Sequence, residues 1–189
     1  MAGGSSDAAA VLRALNRLYD NKLSRAELEE LACHVGSDVA FCVAGGTSLA
    51  KGRGEILTDL QPIPDCFFVV CKPEFSISTP ELFKKLDSSP MRHHPDTAGI
   101  LQALEEGELR EICMRMYNVF EEVDDRRMRT VSDIKSKLLD YGALGAIMTG
   151  TGSAVFGVFT NEEQAKAASR DLKANYKFCC VSRPVARLM

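Results

Sequence analysis

Apolar residues recur at helical spacing in the first part of the chain. Between positions 6 and 20 they share one face of a predicted amphipathic helix: Ala8, Val11, Leu12, Leu15, Leu18 and Tyr19. Ser24 and Glu27 have the spacing of a capping box, which predicts a second helix that ends before Gly36. The short apolar stretch SDVAFCVAGG (residues 37–46) follows, and TSLAKGRGEILTDL (47–60) predicts two short strands around a glycine turn.

The remainder of the chain alternates between strand and helix patterns. CFFVVCK (66–72) predicts a buried strand, and TPELFKKL (79–86) predicts a helix. Two longer helices are predicted from apolar residues at helical spacing, the first carrying Leu109, Ile112, Met116, Val119 and Phe120, the second Val131, Ile134, Leu138 and Tyr141. ALGAIM (143–148) and AVFGVF (154–159) predict strands joined by the tight turn TGTGS (149–153). A helix over 161–176, capped by Asn161, and a last strand over 177–182 complete the pattern.

The order strand, helices, strand, strand, helix, strand is that of a ferredoxin-like, or split βαβ, domain. The proline-rich segment QPIPD (61–65) is the best candidate boundary, so we predict an α+β protein with domains 1–62 and 63–189. The first portion offers helices and two strands without a complete sheet. We therefore expect its apolar residues to be partly exposed, among them Leu12, Leu15, Leu28 and Leu31.

Composition narrows the class of protein. With 46% hydrophobic and 26% charged residues, the chain can form a packed core. A net charge of −3 gives no general electrostatic reason to expect nucleic acid or anionic membrane as a partner. The sequence has no apolar run of the roughly 18 residues that a membrane span needs, and no signal segment. We expect a cytoplasmic protein that is a monomer or a weak dimer.

Neither the cysteines nor the histidines predict a metal site. The seven cysteines contain no C-x-x-C pair, and most lie within apolar runs, which is typical of buried free thiols. His93 and His94 lie in the loop-like stretch SSPMRHHPD (88–96), with no ligand at metal-binding spacing.

Two glycine-rich turns are candidate anion sites. Gly3-Gly4-Ser5-Ser6 leads into a helix, where unpaired N–H groups, hydroxyls and the helix dipole favour phosphate, although Ser-Ser-Asp also makes an ordinary helix cap. Gly150-Thr151-Gly152-Ser153 lies between two predicted strands. A simple hairpin explains its glycines, whereas its hydroxyls and free N–H groups would suit phosphates, which they would contact from the side opposite to the first glycine-rich turn.

Asp38 is the candidate acid. A carboxylate at the beginning of an apolar stretch is either a helix cap or a base beside an apolar surface that excludes water. Phosphoryl transfer needs phosphate anchors, charge neutralisation and a carboxylate that takes the proton of the acceptor hydroxyl. Two anion loops and one such acid form a consistent set.

Three segments in this order resemble the GHMP kinases. AGGSSDAAAVLRALNRLY (2–19) is similar to their second motif, GSDVAFCVAGGTSLAKGRGE (36–55) to the segment with their catalytic aspartate, and MTGTGSAVFGVF (148–159) to their third, glycine-rich motif. KPEFSISTPELF (72–83) and NVFEE (118–122) resemble the members that act on a cytidine-linked methylerythritol. The resemblance runs the whole length of the chain and implies a partial GHMP N-terminal domain followed by a ferredoxin-like C-terminal domain.

The resemblance implies a reaction and a role for each motif. The expected reaction is the ATP-dependent phosphorylation of the 2-hydroxyl of 4-diphosphocytidyl-2-C-methyl-D-erythritol in non-mevalonate isoprenoid synthesis, with Mg²⁺ carried on ATP. Asp38 is implied as the general base, and Phe83 as a stacking surface for cytosine with Thr79 nearby. For Phe83, a place on the core face of its helix is the alternative. The residues implied to contact ATP phosphates or line the phosphate side of the cleft are Gly3, Gly4, Ser5, Ser6, Gly150, Thr151, Gly152 and Ser153.

Family members carry further sequence before the first of these motifs, including strands, an adenine pocket and a lysine beside the aspartate. Neither Lys51 nor Lys72 lies in the motif that carries this lysine in family members, so neither is assigned that role. The resemblance implies a chain that begins at an internal methionine, and we expect the 189-residue chain alone to lack measurable kinase activity. The alternatives are a GHMP kinase for another small alcohol, which Phe83 disfavours, and a non-catalytic binding module.

Overall fold

A computed structural model describes residues 2–88 and 93–185. Of the loop expected over 88–96, residues 89–92 lie outside this description. The helices and strands of the first part are α1 (Gly3–Leu18), α2 (Arg25–Val35), α3 (Ser37–Ala44), β1 (Ser48–Lys51) and β2 (Ile56–Asp59). Those that follow are β3 (Phe67–Lys72), α4 (Thr79–Asp87), α5 (Thr97–Glu106), α6 (Leu109–Met114), a 3-10 turn (Val119–Glu122), α7 (Met128–Asp140), β4 (Gly145–Met148), β5 (Val155–Phe159), α8 (Glu162–Lys173) and β6 (Phe178–Ser182).

The described chain divides into two compact units. One comprises residues 2–62 together with Val185, and the other comprises Ile63–Pro184. Each unit has its own buried clusters, which is the usual property of a domain. The domain assignment 1–62 and 63–189 stays a prediction.

The first unit is built on three helices and a hairpin. Alanines allow α1, α2 and α3 to approach closely, since Ala9, Ala32 and Ala40 are fully buried between them. The hairpin of β1 and β2 is antiparallel, with Lys51 opposite Ile56, as predicted. The capping box of α2 is confirmed, because the Ser24 side chain accepts from the Glu27 N–H and the Glu27 carboxylate accepts from the Ser24 N–H.

Two expectations about this unit need correction. Helix α1 begins at Gly3 rather than at position 6, so the glycine-rich stretch is the first turn of the helix and not a turn that precedes it. Leu28 is only 7% exposed, because it packs into the three-helix cluster. Leu12 is half-buried, while Leu15 and Leu31 are 47% and 43% exposed, as the incomplete sheet of this portion predicted.

The second unit is a four-stranded antiparallel sheet in the order β4-β5-β3-β6. This order confirms the predicted ferredoxin-like arrangement and the α+β class. One face of β3 carries Val69 and Cys71, which pack with Leu138 of α7 and Leu172 of α8 in the main core. The alternate face carries Phe68, which joins a smaller cluster beside α6.

The free thiols contribute to these cores. The four buried cysteines are Cys66, Cys71, Cys113 and Cys179, and the half-buried ones are Cys33, Cys42 and Cys180. The prediction of free, mostly buried thiols is confirmed.

The helix predicted over Leu109–Phe120 is wrong in length. Helix α6 ends at Met114, Asn118 has an extended backbone, and Phe120 belongs to the separate 3-10 turn. The physical reason is local, because the Asn118 side chain accepts from the Phe120 N–H and starts a new turn there. Helix α5 was not predicted at all.

Within the described residues, no helix has the length and apolar character needed to cross a bilayer.

Candidate active site

The first turn of α1 presents free backbone N–H groups. The first helical hydrogen bond runs from the Ser6 N–H to the Ala2 carbonyl at 2.9 Å, so the N–H groups of Gly3, Gly4 and Ser5 have no carbonyl one turn before them. No side chain caps this helix, and the two glycines are exposed. The positive end of the helix dipole and these donors together form a site suited to an anion.

Asp38 lies in the first turn of α3 with an exposed side chain. The N-cap of this helix is Gly36, and no side chain caps it, so Asp38 is not the cap that the sequence left open as an alternative. Within the described residues, no hydrogen bond or ion pair engages its carboxylate. The carboxylate can therefore accept a hydrogen bond from a ligand hydroxyl.

The start of α1 and the beginning of α3 are neighbours within the first unit. The Ser6 Oγ lies 3.9 Å from the Cys42 Sγ. Cys42 is four residues after Asp38, which places both on the same face of α3. The first turn of α1 thus contacts α3 one helical turn after the candidate base.

The second glycine-rich segment closes the hairpin between β4 and β5. The Thr149 N–H donates to the Ala154 carbonyl at 2.9 Å, and the Gly152 N–H donates to the Thr149 carbonyl at 3.0 Å. Gly152 has a φ of +85°, and a Cβ there would lie 2.6 Å from the Met148 Sδ, so only glycine fits. Gly150 also has a positive φ, of +55°, and faces open space.

Ser153 differs from its neighbours in this loop. Its hydroxyl is buried and donates to the Phe75 carbonyl at 2.6 Å. The Ser153 side chain is therefore used to hold the loop, while Gly150 is exposed and Thr151 is half-buried.

Thr79 and Phe83 lie on α4, next to this loop. The Oγ1 atoms of Thr79 and Thr151 are 3.0 Å apart. Phe83 is 48% exposed, and its ring meets the Phe120 ring edge-on with 4.9 Å between centroids. Leu82, which is fully buried, provides the core contact of α4, so the core alternative for Phe83 does not hold. About half of the Phe83 side chain is therefore accessible to a ligand.

A buried carboxylate fixes this helix in place. Asp125 is 8% exposed and accepts hydrogen bonds from the Arg127 guanidinium at 2.6 and 2.8 Å and from the Lys85 ammonium at 2.8 Å. The pKa of the Asp125 carboxyl lies well below its ordinary value, chiefly because of the hydrogen bonds from Arg127 and, after them, that from Lys85. Burial has the opposite effect on this pKa but is outweighed. Because Lys85 belongs to α4, this cluster ties the helix to the segment before α7.

Sequence reasoning missed two residues that shape the loop. The Asn118 amide donates to the carbonyls of Met148 and Gly150, each at 2.8 Å. A carboxylate oxygen of Glu121 accepts from the Met148 N–H at 2.6 Å. The available signal was an asparagine before a short acidic turn, a pattern typical of a cap.

The predicted site residues thus fall into two groups. The glycine-rich turn of α1 and Asp38 belong to the first unit. Thr79, Phe83 and the loop 150–153 belong to the second.

Comparison with known proteins identifies the family. The pattern described as "GHMP kinases N terminal domain" matches residues 1–46, and that described as "GHMP kinases C terminal" matches residues 100–177. The chain belongs to the GHMP kinase family. The resemblance stated from the sequence is confirmed.

Two relatives similar to this chain carry the same name. The chain is 41% identical to the "4-diphosphocytidyl-2-C-methyl-D-erythritol kinase" of Alkaliphilus metalliredigens and 44% identical to that of Syntrophomonas wolfei subsp. wolfei, each over 94% of this chain. It spans 61% and 62% of the length of these two relatives. A crystal structure of 4-(cytidine 5'-diphospho)-2C-methyl-D-erythritol kinase matches with a TM-score of 0.77 and 30% identity, over 97% of this chain and 64% of that one.

Proposed function

We propose that the protein, at its natural length, transfers the γ-phosphoryl group of ATP to the 2-hydroxyl of 4-diphosphocytidyl-2-C-methyl-D-erythritol. The names of its relatives support this substrate. The observation that carries the proposal is the contact between Thr79 and Thr151, because it sets the exposed Phe83 ring beside a glycine-rich loop. An aromatic surface next to phosphate-binding groups is what a cytidine diphosphate requires.

The two glycine-rich segments are proposed to hold phosphates. The free N–H groups of Gly3, Gly4 and Ser5, with the Ser6 hydroxyl, suit the phosphates of ATP. The exposed Gly150 and the half-buried Thr151 are proposed to contact a phosphate in the second unit, with Gly152 and Ser153 holding the loop in shape. Mg²⁺ carried on ATP would neutralise charge on the transferring phosphoryl group.

Asp38 is proposed as the general base. Its exposed carboxylate accepts the proton of the substrate 2-hydroxyl, the hydroxyl oxygen forms a bond to the γ-phosphorus, and ADP leaves with the electrons of the broken P–O bond. The free N–H groups at the start of α1 stabilise the negative charge of the phosphates during this step.

Phe83 and Thr79 are proposed to recognise the cytidine end of the substrate. Stacking of a base on an aromatic ring is worth about 1–3 kcal/mol. Thr79 lies one turn of α4 before Phe83, and we propose that its hydroxyl takes part in the same recognition.

We further propose two domains, 1–62 and 63–189, a cytoplasmic location, and a monomer or weak dimer. Small-molecule substrates would be the partners, without nucleic acid or membrane. The net charge of −3 and the two compact units support these proposals.

The test is an assay of the protein at its natural length with ATP and the cytidine-linked substrate, in which ADP and the phosphorylated product are both measured. Stoichiometric formation of the two is expected. Phosphorylation of small alcohols without cytidine at equal kcat/KM would favour the alternative kinase, and binding without product would favour the non-catalytic module. The expectation that the 189-residue chain alone is inactive stays a prediction, and the same assay tests it.

A further inference from the structure

We propose that Asn118 is a positioning residue that sets the glycine-rich loop 149–153 in register with the Phe83 ring. This inference rests on the proposed function, since it assigns to one side chain the spacing between the phosphate-binding loop and the cytosine-stacking surface. Asn118 belongs to neither group of residues predicted from the sequence.

Both amide hydrogens of Asn118 are used in hydrogen bonds. The Asn118 Nδ2 donates to the Met148 carbonyl at 2.8 Å and to the Gly150 carbonyl at 2.8 Å. Met148 is the last residue of β4, and Gly150 is the first glycine of the loop. One planar amide therefore spans the point at which the strand ends and the loop begins, and fixes the path of the chain there.

The amide oxygen of Asn118 is used in a hydrogen bond as well. The Asn118 Oδ1 accepts from the Phe120 N–H at 3.0 Å and so caps the 3-10 turn. That turn carries Phe120, whose ring meets Phe83 edge-on. The same side chain thereby holds both the loop and the residue that supports the stacking surface.

A second anchor acts at the same place. The Glu121 carboxylate accepts from the Met148 N–H at 2.6 Å and forms an ion pair with Lys135. Glu121 fixes the end of β4, whereas the Gly150 carbonyl is held by Asn118. Loss of the Asn118 amide should therefore release the loop while leaving the strand in place.

The chemistry of the site requires an amide. Two donors and one acceptor are used at once, and aspartate, which has the same shape, offers no donor when ionised. In Asn118→Asp a carboxylate would face two carbonyl oxygens, which raises its pKa and permits a hydrogen bond again only when it is protonated. This gives the substitution a pH signature.

The experiment compares Asn118→Asp with Asn175→Asp, a control with the same chemical change at an exposed asparagine after α8. Amide exchange of the full chain is measured first. We expect the Gly152 and Thr149 amides to exchange about tenfold faster or more in Asn118→Asp, with the β3–β5 amides unchanged. If the Gly152 and Thr149 amides exchange at the same rate in Asn118→Asp as in the Asn175→Asp control, the proposal is overturned, whether or not the protein has kinase activity.

The second readout is the steady-state kinetics of the protein at its natural length. We expect Asn118→Asp to lower kcat about 10- to 100-fold with KM for ATP changed less than about threefold. We also expect its kcat relative to wild type to recover about tenfold between pH 8 and about pH 5. Unchanged kcat, or a loss with no recovery at low pH, would overturn the positioning role. Absence of turnover in the wild type would instead overturn the proposed function and leave the exchange result to decide this inference.

Discussion

The Phe83 side chain is about half exposed and has an edge-on neighbour, so part of it is accessible to a planar base. Phe83→Leu keeps the residue apolar and removes the aromatic ring. Because stacking on an aromatic ring contributes about 1–3 kcal/mol, we expect the KM for the cytidine-linked substrate to rise about 5- to 150-fold, with KM for ATP unchanged.

The matched control for this prediction is Phe178→Leu. Phe178 is 51% exposed on β6, close to the 48% of Phe83. Steady-state kinetics of both variants check the prediction. An equal KM for the cytidine-linked substrate in the Phe83 and Phe178 variants would show that the Phe83 ring does not contact the base.

At the scale of elements, the Asp125 cluster joins α4 to the segment before α7. Asp125→Asn removes a charge that Arg127 and Lys85 both contact. Since hydrogen bonds to charged groups contribute about 1.5–3 kcal/mol, we expect the free energy of unfolding to fall by about 2 kcal/mol at pH 7. Urea unfolding measures the change, and Asp124→Asn, at the exposed neighbouring position, is the control.

The pH dependence of this difference has a definite sign. The pKa of Asp125 is lower in the folded protein than in the unfolded chain, so its contribution is fully present above the unfolded pKa of about 4. It is lost as the pH falls further, through the folded pKa. Wild type and Asp125→Asn should therefore differ by a constant amount from pH 7 to about pH 5 and converge below about pH 4. A difference that grows on acidification would contradict the cluster's role.

Helices and strands could be predicted where the local sequence has a clear pattern, such as an apolar run or a helix cap. The strands β3, β5 and β6 are short apolar runs, and α8 carries a cap and an apolar face, so all were predicted. The predicted long helix failed because its spacing continues through Met116 to Phe120, while the side chain of Asn118 starts a separate turn. Apolar spacing alone cannot report such a side-chain hydrogen bond.

The candidate site was predictable only where a motif is local. Glycine-rich segments and Asp38 stand out in the sequence. Asn118 and Glu121 act on a loop about 30 residues later, and their hydrogen bonds to Met148 depend on the folding of the sheet. The use of the Ser153 hydroxyl inside the protein likewise follows from its contact with Phe75, 78 positions earlier in the chain.

At the scale of the whole molecule, the two units differ in the cores that support them. The main cluster of the second unit contains large buried side chains such as Phe159, Leu138 and Ile134, whereas alanines provide half of the buried residues of the first unit's cluster. Burying less apolar area contributes less free energy. We expect the amides of α1 and α2 to exchange faster than those of β3 and β5 by about tenfold or more. Uniform protection across both units would contradict this expectation.

The proposed phosphoryl transfer depends on Asp38 as its general base. The most direct measurement is the turnover of Asp38→Asn at natural length with ATP and the cytidine-linked substrate, beside Asp20→Asn as a control at an exposed aspartate in the same unit. Asparagine keeps the size of the side chain and cannot take the proton. We expect kcat to fall about 100-fold or more in Asp38→Asn with ATP binding unchanged, and we expect the control to equal wild type. Turnover of Asp38→Asn within about twofold of wild type would contradict the claim.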